Sequence, residues 1–257
     1  MARPEPNLKP PPDRVFKGLR QFNCEAGLAI AGRRDRMAPR WAHWFPGDSL
    51  MDRFAVALSE RYAIDMKEFA ESVEFFQRVR RPMRAPVVMD LCCGHGLTGI
   101  LFAIFERDVQ SVLLVDRRRP ESFERVYDAA LSVAPWVAQK IEFRECEMEA
   151  LTHETHQGVS LLGVHACGVR TDDILRVARC MRAPVAVMPC CHASVKYGER
   201  PKAFDETIGR ELAIDIDRTY TLRADGYTVR WTVVPRAITA MNRVLIALPD
   251  SIEGAPG

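Results

Sequence analysis

No apolar run in the sequence approaches the ~18 residues needed to span a bilayer. The first fourteen residues, rich in proline and charge, lack the apolar core of a secretory signal. The expected location is therefore cytoplasmic, with no membrane partner. An excess of one charge sign is also missing. Lys and Arg total 36 against 34 Asp and Glu, a net charge of +2, which excludes wholesale polyanion binding by bulk charge. The eight cysteines lack the C-x-x-C spacing of a zinc knuckle or a thioredoxin-like site. Cys92-Cys93 and Cys190-Cys191 are adjacent pairs, and Cys24, Cys146, Cys167 and Cys180 stand alone. Reduced thiols are expected in a chain of this size without an export signal. No internal repeat is present. What remains is ordinary globular composition, 47% apolar and 27% charged over 257 residues. That length fits one large domain, or one of about 150–180 residues with an extension.

Residues 1–13 contain five prolines and read as a disordered lead-in. Residues 14–84 read as a helical extension. Ser49 suits an N-cap, with Asp52 completing a capping-box-like pattern, and a second helix runs near 66–78 with Phe69, Val73 and Phe76 on one face. Residues 1–84 carry 16 basic and 11 acidic residues, a local charge of +5. The remainder carries 20 and 23, a charge of −3. From residue 85 to about 250, short apolar runs alternate with helical stretches. Strands are expected at 86–91, 112–115, 141–144, 159–164 and 184–188, with helices at 98–106, 121–133 and 171–181, the last capped by Thr171. This rhythm predicts a doubly wound, Rossmann-like parallel α/β sheet. The strands at 227–234 and 242–248 are too close together for a crossover helix. They pair as an antiparallel hairpin that completes seven strands with one reversed.

The strongest local signal is Asp90-Leu-Cys-Cys-Gly94-His-Gly96-Leu-Thr-Gly99, between a strand and a helix. Its glycines permit a tight turn and close approach of a nucleotide-like ligand. Asp90 ends the strand before the loop, where a carboxylate suits a cationic ligand group. Asp116 ends the next strand, 22 residues after Gly94, where an acid accepts hydrogen bonds from ribose hydroxyls. A dehydrogenase needs neither the strand-ending acid nor the reversed hairpin. S-adenosylmethionine, with its sulfonium, ammonium and carboxylate, matches both. Asp90 faces the ammonium, and the amides near Gly94 and Gly96 face the carboxylate. Glu147, beyond the third strand, is placed for the adenine edge; the alternative is a solvated surface acid.

Two further segments follow strands four and five: His165-Ala-Cys167-Gly168 and Pro189-Cys190-Cys191-His192. Ligands of doubly wound sheets sit at the carboxyl ends of strands, so topology gathers these side chains with Cys92, Cys93 and His95. Three accounts stand side by side. Cysteines can fill small turns. They can bind metal, although adjacent pairs do not readily point at one tetrahedral ion, so no metal is expected. Or the cluster is an active-site wall, with His192 or His165 taking a proton from the methyl acceptor and Cys167, Cys190 and Cys191 shaping the substrate pocket. His192, a few residues past the strand, is expected to lean over the pocket. The aromatic group Trp41, His43, Trp44 and Phe45 can stack on bases or cap a core.

Asp90-Leu-Cys-Cys-Gly94-His-Gly96 resembles motif I of class I S-adenosylmethionine-dependent methyltransferases, with Cys92 in place of a glycine. Asp116 matches the acid of motif II and Glu147 that of motif III. The resemblance covers about 85–248. Narrower similarity rests on His165-Ala-Cys167-Gly168, Thr171-Asp172, Cys190-Cys191-His192, Pro235 and Asn242-Arg243. These resemble a group that includes eukaryotic tRNA ribose 2′-O-methyltransferases of the acceptor stem and the methyltransferase half of the glutathione S-transferase C-terminal domain-containing protein. The resemblance implies a class I methyltransferase domain with S-adenosylmethionine as cofactor and RNA as the leading acceptor class. A protein or small-molecule acceptor is the runner-up. An NAD-dependent oxidoreductase and a silent nucleotide-binding scaffold are the alternatives from other classes. Asn-Pro-Pro-Tyr, the signature of exocyclic-amine methylation, is absent at strand four.

Overall fold

The computed structural model describes residues 12–153, 158–192 and 202–250. The expected lead-in over 1–13 lies almost wholly outside them. Seven strands form one sheet: β1 Val87–Leu91, β2 Ser111–Asp116, β3 Ile141–Glu145, β4 Val159–Val164, β5 Val185–Met188, β6 Tyr227–Val233 and β7 Arg243–Pro249. Their order is β3-β2-β1-β4-β5-β7-β6. β7 runs antiparallel to both neighbours, and the pairs from β3 to β5 are parallel. The expected sheet and its reversed strand are both present.

Alternation along the strands explains the two layers. Val88, Val112, Leu114, Leu162 and Met188 enter one apolar core, while Met89, Leu113, Leu161 and Val187 enter the other. Both faces of the central strands are thus covered, which is why β4 is buried along its whole length. Helices α1 Glu25–Ala31, α2 Leu50–Glu60 and α3 Met66–Val79 build the extension. α4 Leu97–Phe105, α5 Glu121–Val133, α6 Arg170–Met181, α7 Lys202–Ile208 and α8 Arg210–Ala224 follow in the α/β part. Ser49 caps α2 through the Asp52 amide at 3.1 Å, as the sequence implies, and Asp65 caps α3 through the Glu68 amide at 2.7 Å. Thr171 does not cap α6. That helix already starts at Arg170, and the Thr171 hydroxyl instead donates to the Ala166 carbonyl at 2.6 Å.

The extension does not stand off from the sheet. Phe54, Leu58, Phe69, Val73 and Phe76 share one core with α4, α5 and β2. Trp41 and Phe45 are buried in that core as well, the cap alternative for the aromatic group, with Trp44 half-buried against it and His43 exposed. Cation–π contacts from Arg33 and Arg40 cover Trp41. Glu74, fully buried on α3, gathers the amides of Lys17, Gly18 and Leu19 at 3.0, 2.7 and 2.9 Å and pairs with Arg78. Arg78 in turn donates to the carbonyls of Val15 and Val233. One carboxylate therefore ties the N-terminal segment to α3, and its partner ties both to β6.

Removing one member of a buried ion pair leaves the other charge uncompensated, at a cost of about 3–5 kcal/mol. Glu74→Ala is expected to lower unfolding free energy by about that much in urea titration, and Glu74→Gln by less. A loss below about 1 kcal/mol for Glu74→Ala would show that the N-terminal segment is not anchored there.

Candidate active site

The turn after β1 brings the predicted cofactor residues together. Asp90 is almost fully buried, and its Oδ2 accepts the Gly99 amide at 2.9 Å, fastening the first turn of α4. Burial, reinforced by the nearby negative charge of Asp116, pushes the Asp90 carboxyl up to about 7, although the Gly99 amide opposes the shift. Asp116 Oδ2 accepts the Gly94 amide at 2.9 Å, and its Oδ1 accepts the Arg117 amide at 2.7 Å. Gly94 and Gly96 hold positive φ of 53° and 71°. A Cβ on Gly94 would meet nothing within 4 Å, so open space lies over this part of the loop. Cys92, which replaces a glycine of the motif, also adopts positive φ, at 56°. Backbone strain of this kind concentrates at functional sites. Glu147 lines the same cleft as Asp116, with Cys92, Arg117 and Arg170. It meets Arg117 Nε at 2.8 Å, and both side chains are more than half exposed.

At the next strand ends the outcome is mixed. His165, with φ of 62°, points Nε2 at Glu71 Oε2 on α3, 2.7 Å away. The two atoms lack hydrogen-bond alignment, so the contact is electrostatic. Glu71 is fully buried. Burial raises its pKa, but His165 and then Lys67 outweigh that and hold the carboxyl below its usual range. His95, on the glycine loop, lies 3.9 Å from Glu68 of the same helix, and burial lowers its pKa. α3 thus supplies two acids to histidines that follow β1 and β4.

His192 differs from expectation. It is buried rather than leaning over the pocket, because its Nε2 is bound to Asp215 Oδ1 at 3.0 Å. Asp215 also accepts from Arg218 Nη1 at 3.1 Å and Arg243 Nε at 2.8 Å, and Arg218 grips Asp172 at 2.9 and 3.0 Å. Burial raises the Asp215 pKa, but His192 and Arg243 together bring it below its ordinary value. The chain from α6 through α8 to β7 fixes the turn that carries His192. Cys167, Cys190 and Cys191 do converge: their sulfurs all lie within 4.8 Å of one another. The third thiol comes from the end of β4 rather than from the loop of the vicinal pair, a convergence that sequence spacing does not show.

Sequence reasoning missed Glu71 and Asp215. Glu68, Glu71 and Glu74 recur every third residue on α3, a stripe apart from the face of Phe69, Val73 and Phe76 that reads from sequence as the solvated side. The structure buries Glu71 and Glu74 because α3 is covered nearly all round. Asp215 and Arg218 face inward with Ile214 and Leu222 on α8, which erases the apolar periodicity that would reveal the helix.

This strand order with a reversed β7, and an acid-flanked glycine turn after β1, define the Rossmann-like methyltransferase class. Residues 64–198 match the family model described as "Methyltransferase domain", and the chain belongs to that family. A curated relative is the glutathione S-transferase C-terminal domain-containing protein of Bos taurus. It is 23% identical over 198 residues, covering 63% of this chain and 30% of that protein. The chain therefore spans about a third of the relative's length. The human form is 24% identical over the same length. Among solved structures, a putative O-methyltransferase from Klebsiella pneumoniae covers 85% of this chain and 99% of its own, at 13% identity and a TM-score of 0.48.

The depressed Glu71 pKa fixes a sign. A carboxyl whose folded pKa is lowered contributes stability above its ordinary value, near 4.5, and loses it as pH falls through the folded value. The stability gap between wild type and Glu71→Gln is expected to shrink as pH is lowered below about 4.5 in urea titrations. A gap independent of pH would show that Glu71 is not held ionised.

Proposed function

We propose that the protein is an S-adenosylmethionine-dependent methyltransferase with RNA as the leading acceptor class. The observation that carries the cofactor reading is the pair of acids at neighbouring strand ends. Asp90 and Asp116 each hold an amide of the glycine loop, and the space over Gly94 is open. Asp116 has acceptor capacity left for ribose hydroxyls, and Asp90 places negative charge where an ammonium is needed. Glu147 borders the same cleft and is the candidate for the adenine edge. Bound there, S-adenosylmethionine supplies a methyl group on a cationic sulfur.

The chain's own residues supply positioning and a base. His165 is the better placed base. With Nε2 turned to Glu71, its other ring nitrogen is the one left to take a proton from the acceptor, and the ring is a third exposed. His192 acts through position: tied to Asp215, it holds the turn bearing Cys190 and Cys191. The RNA reading draws on the +5 charge of residues 1–84, together with the delivery of Glu71 to His165 by that same segment. Phosphate contacts rather than base stacking would carry the affinity, which then falls with salt.

Calorimetry is expected to show S-adenosylhomocysteine binding and no NADH binding. Asp116→Ala should weaken it by about 1.5–3 kcal/mol, the worth of charged hydrogen bonds. Tighter NADH binding would overturn the cofactor reading. Because the Asp90 carboxyl titrates near 7, a cationic ligand beside it lowers that value and expels a proton near neutral pH. Binding heat of S-adenosylmethionine should therefore vary with the ionisation heat of the buffer, and the variation should vanish in Asp90→Asn. For the acceptor, cell extract is incubated with labelled S-adenosylmethionine with and without ribonuclease. Label lost after ribonuclease supports RNA; label retained on protein or on a small molecule refutes it.

A further inference from the structure

Cys167, Cys190 and Cys191 hold chemistry that neither the cofactor cradle nor the His165–Glu71 pair uses. Cys167 lies three residues past the end of β4, and Cys190 and Cys191 follow β5 by two and three. Two backbone hydrogen bonds lock the segments together. The His165 amide donates to the Met188 carbonyl at 3.3 Å, and the Gly168 amide to the Cys191 carbonyl at 3.2 Å. Gly168, with φ of 63°, makes the turn that lets the two chains meet. The three sulfurs are therefore brought together by two strand ends fixed to each other.

A packing role does not account for them. Cysteines that act as small hydrophobes sit in apolar cores. Cys92, Cys93 and Cys146 do pack against the two cores here. Cys167 is exposed, Cys190 and Cys191 are half-buried, and none of the three belongs to either core among the described residues. A bound metal ion deprotonates the thiols that coordinate it.

We propose that Cys167, Cys190 and Cys191 form a three-thiolate site for one divalent thiophilic cation, zinc being the ion that the donor set suits. Tetrahedral zinc with Zn–S near 2.3 Å places its sulfurs about 3.8 Å apart. The present separations, all within 4.8 Å, close to that by side-chain rotation on partly exposed loops. Three protein ligands leave one position for water or a substrate atom, the arrangement of reactive rather than purely structural zinc.

Cobalt is the probe, because it reports ligand type by colour. Chelator-stripped protein under reductant is titrated with Co²⁺, then with Zn²⁺. One equivalent of cobalt is expected, with sulfur-to-metal absorption of the intensity given by three thiolates and the visible bands of a tetrahedral site. One equivalent of zinc should displace it. Cys167→Ser and Cys190→Ser should each remove the band, while Cys24→Ser keeps it, with far-ultraviolet circular dichroism checking that each variant is folded. The wild-type spectrum counts sulfurs without any variant, and the readout is independent of methyl transfer. No stoichiometric uptake, a band that survives Cys167→Ser, or loss of two thiols per chain to a disulfide with no metal bound would each overturn the proposal.

Discussion

The close approach of α4 to β1 and β2 is the constraint on which the rest depends. Gly99, in the first turn of α4, has no room for a side chain: a Cβ there would come within 2.4 Å of Leu114 and 3.1 Å of Asp90. That contact lets the Gly99 amide reach the Asp90 carboxylate, and it sets the glycine turn between the ends of β1 and β2. Asp116, at the end of β2, can then hold the Gly94 amide from the other side. The two acids keep the loop open by occupying its amides from flanks and below. A side chain at Gly99 would lift α4, and the cradle would lose its shape along with its packing.

A second consequence concerns the extension. α3 packs against α4 through Phe76 and Phe102, whose rings meet edge to face at 5.0 Å. Once α4 is placed, α3 is placed, and with it Glu68 and Glu71 beside His95 and His165. The family match, beginning at residue 64, takes in α3 and not only the sheet. Burying Glu71 is costly by itself; it is tolerated because Lys67 and His165 both face it.

Much of this was legible in the sequence, for identifiable reasons. Strands β1, β2, β4 and β5 are short apolar runs buried on both faces, so their composition reveals them, while β3 shows by its alternation and spacing. The motif from Asp90 to Gly99 is readable because Gly94 and Gly96 hold positive φ and Gly99 sits where no side chain fits, behind an acid near the end of β1. The parts that escaped are those where polar residues turn inward. α8 carries Asp215 and Arg218 on its buried face and so hides as a helix. His192 sits in the right segment, but its burial follows from a carboxylate 23 residues away that no spacing rule reports. The thiol cluster needed the third dimension most, since two adjacent cysteines look unsuited to one ion until Cys167 joins them from β4.

The central claim is that the turn from Cys92 to Gly99, flanked by Asp90 and Asp116, is the cofactor cradle. Hydrogen exchange on the whole chain, with and without saturating S-adenosylhomocysteine, tests it most directly. The account predicts slowed exchange concentrated in the amides of 92–99 and 116–117, with little change in α8 or β6. Binding accompanied by protection elsewhere, and none across that turn, would contradict it.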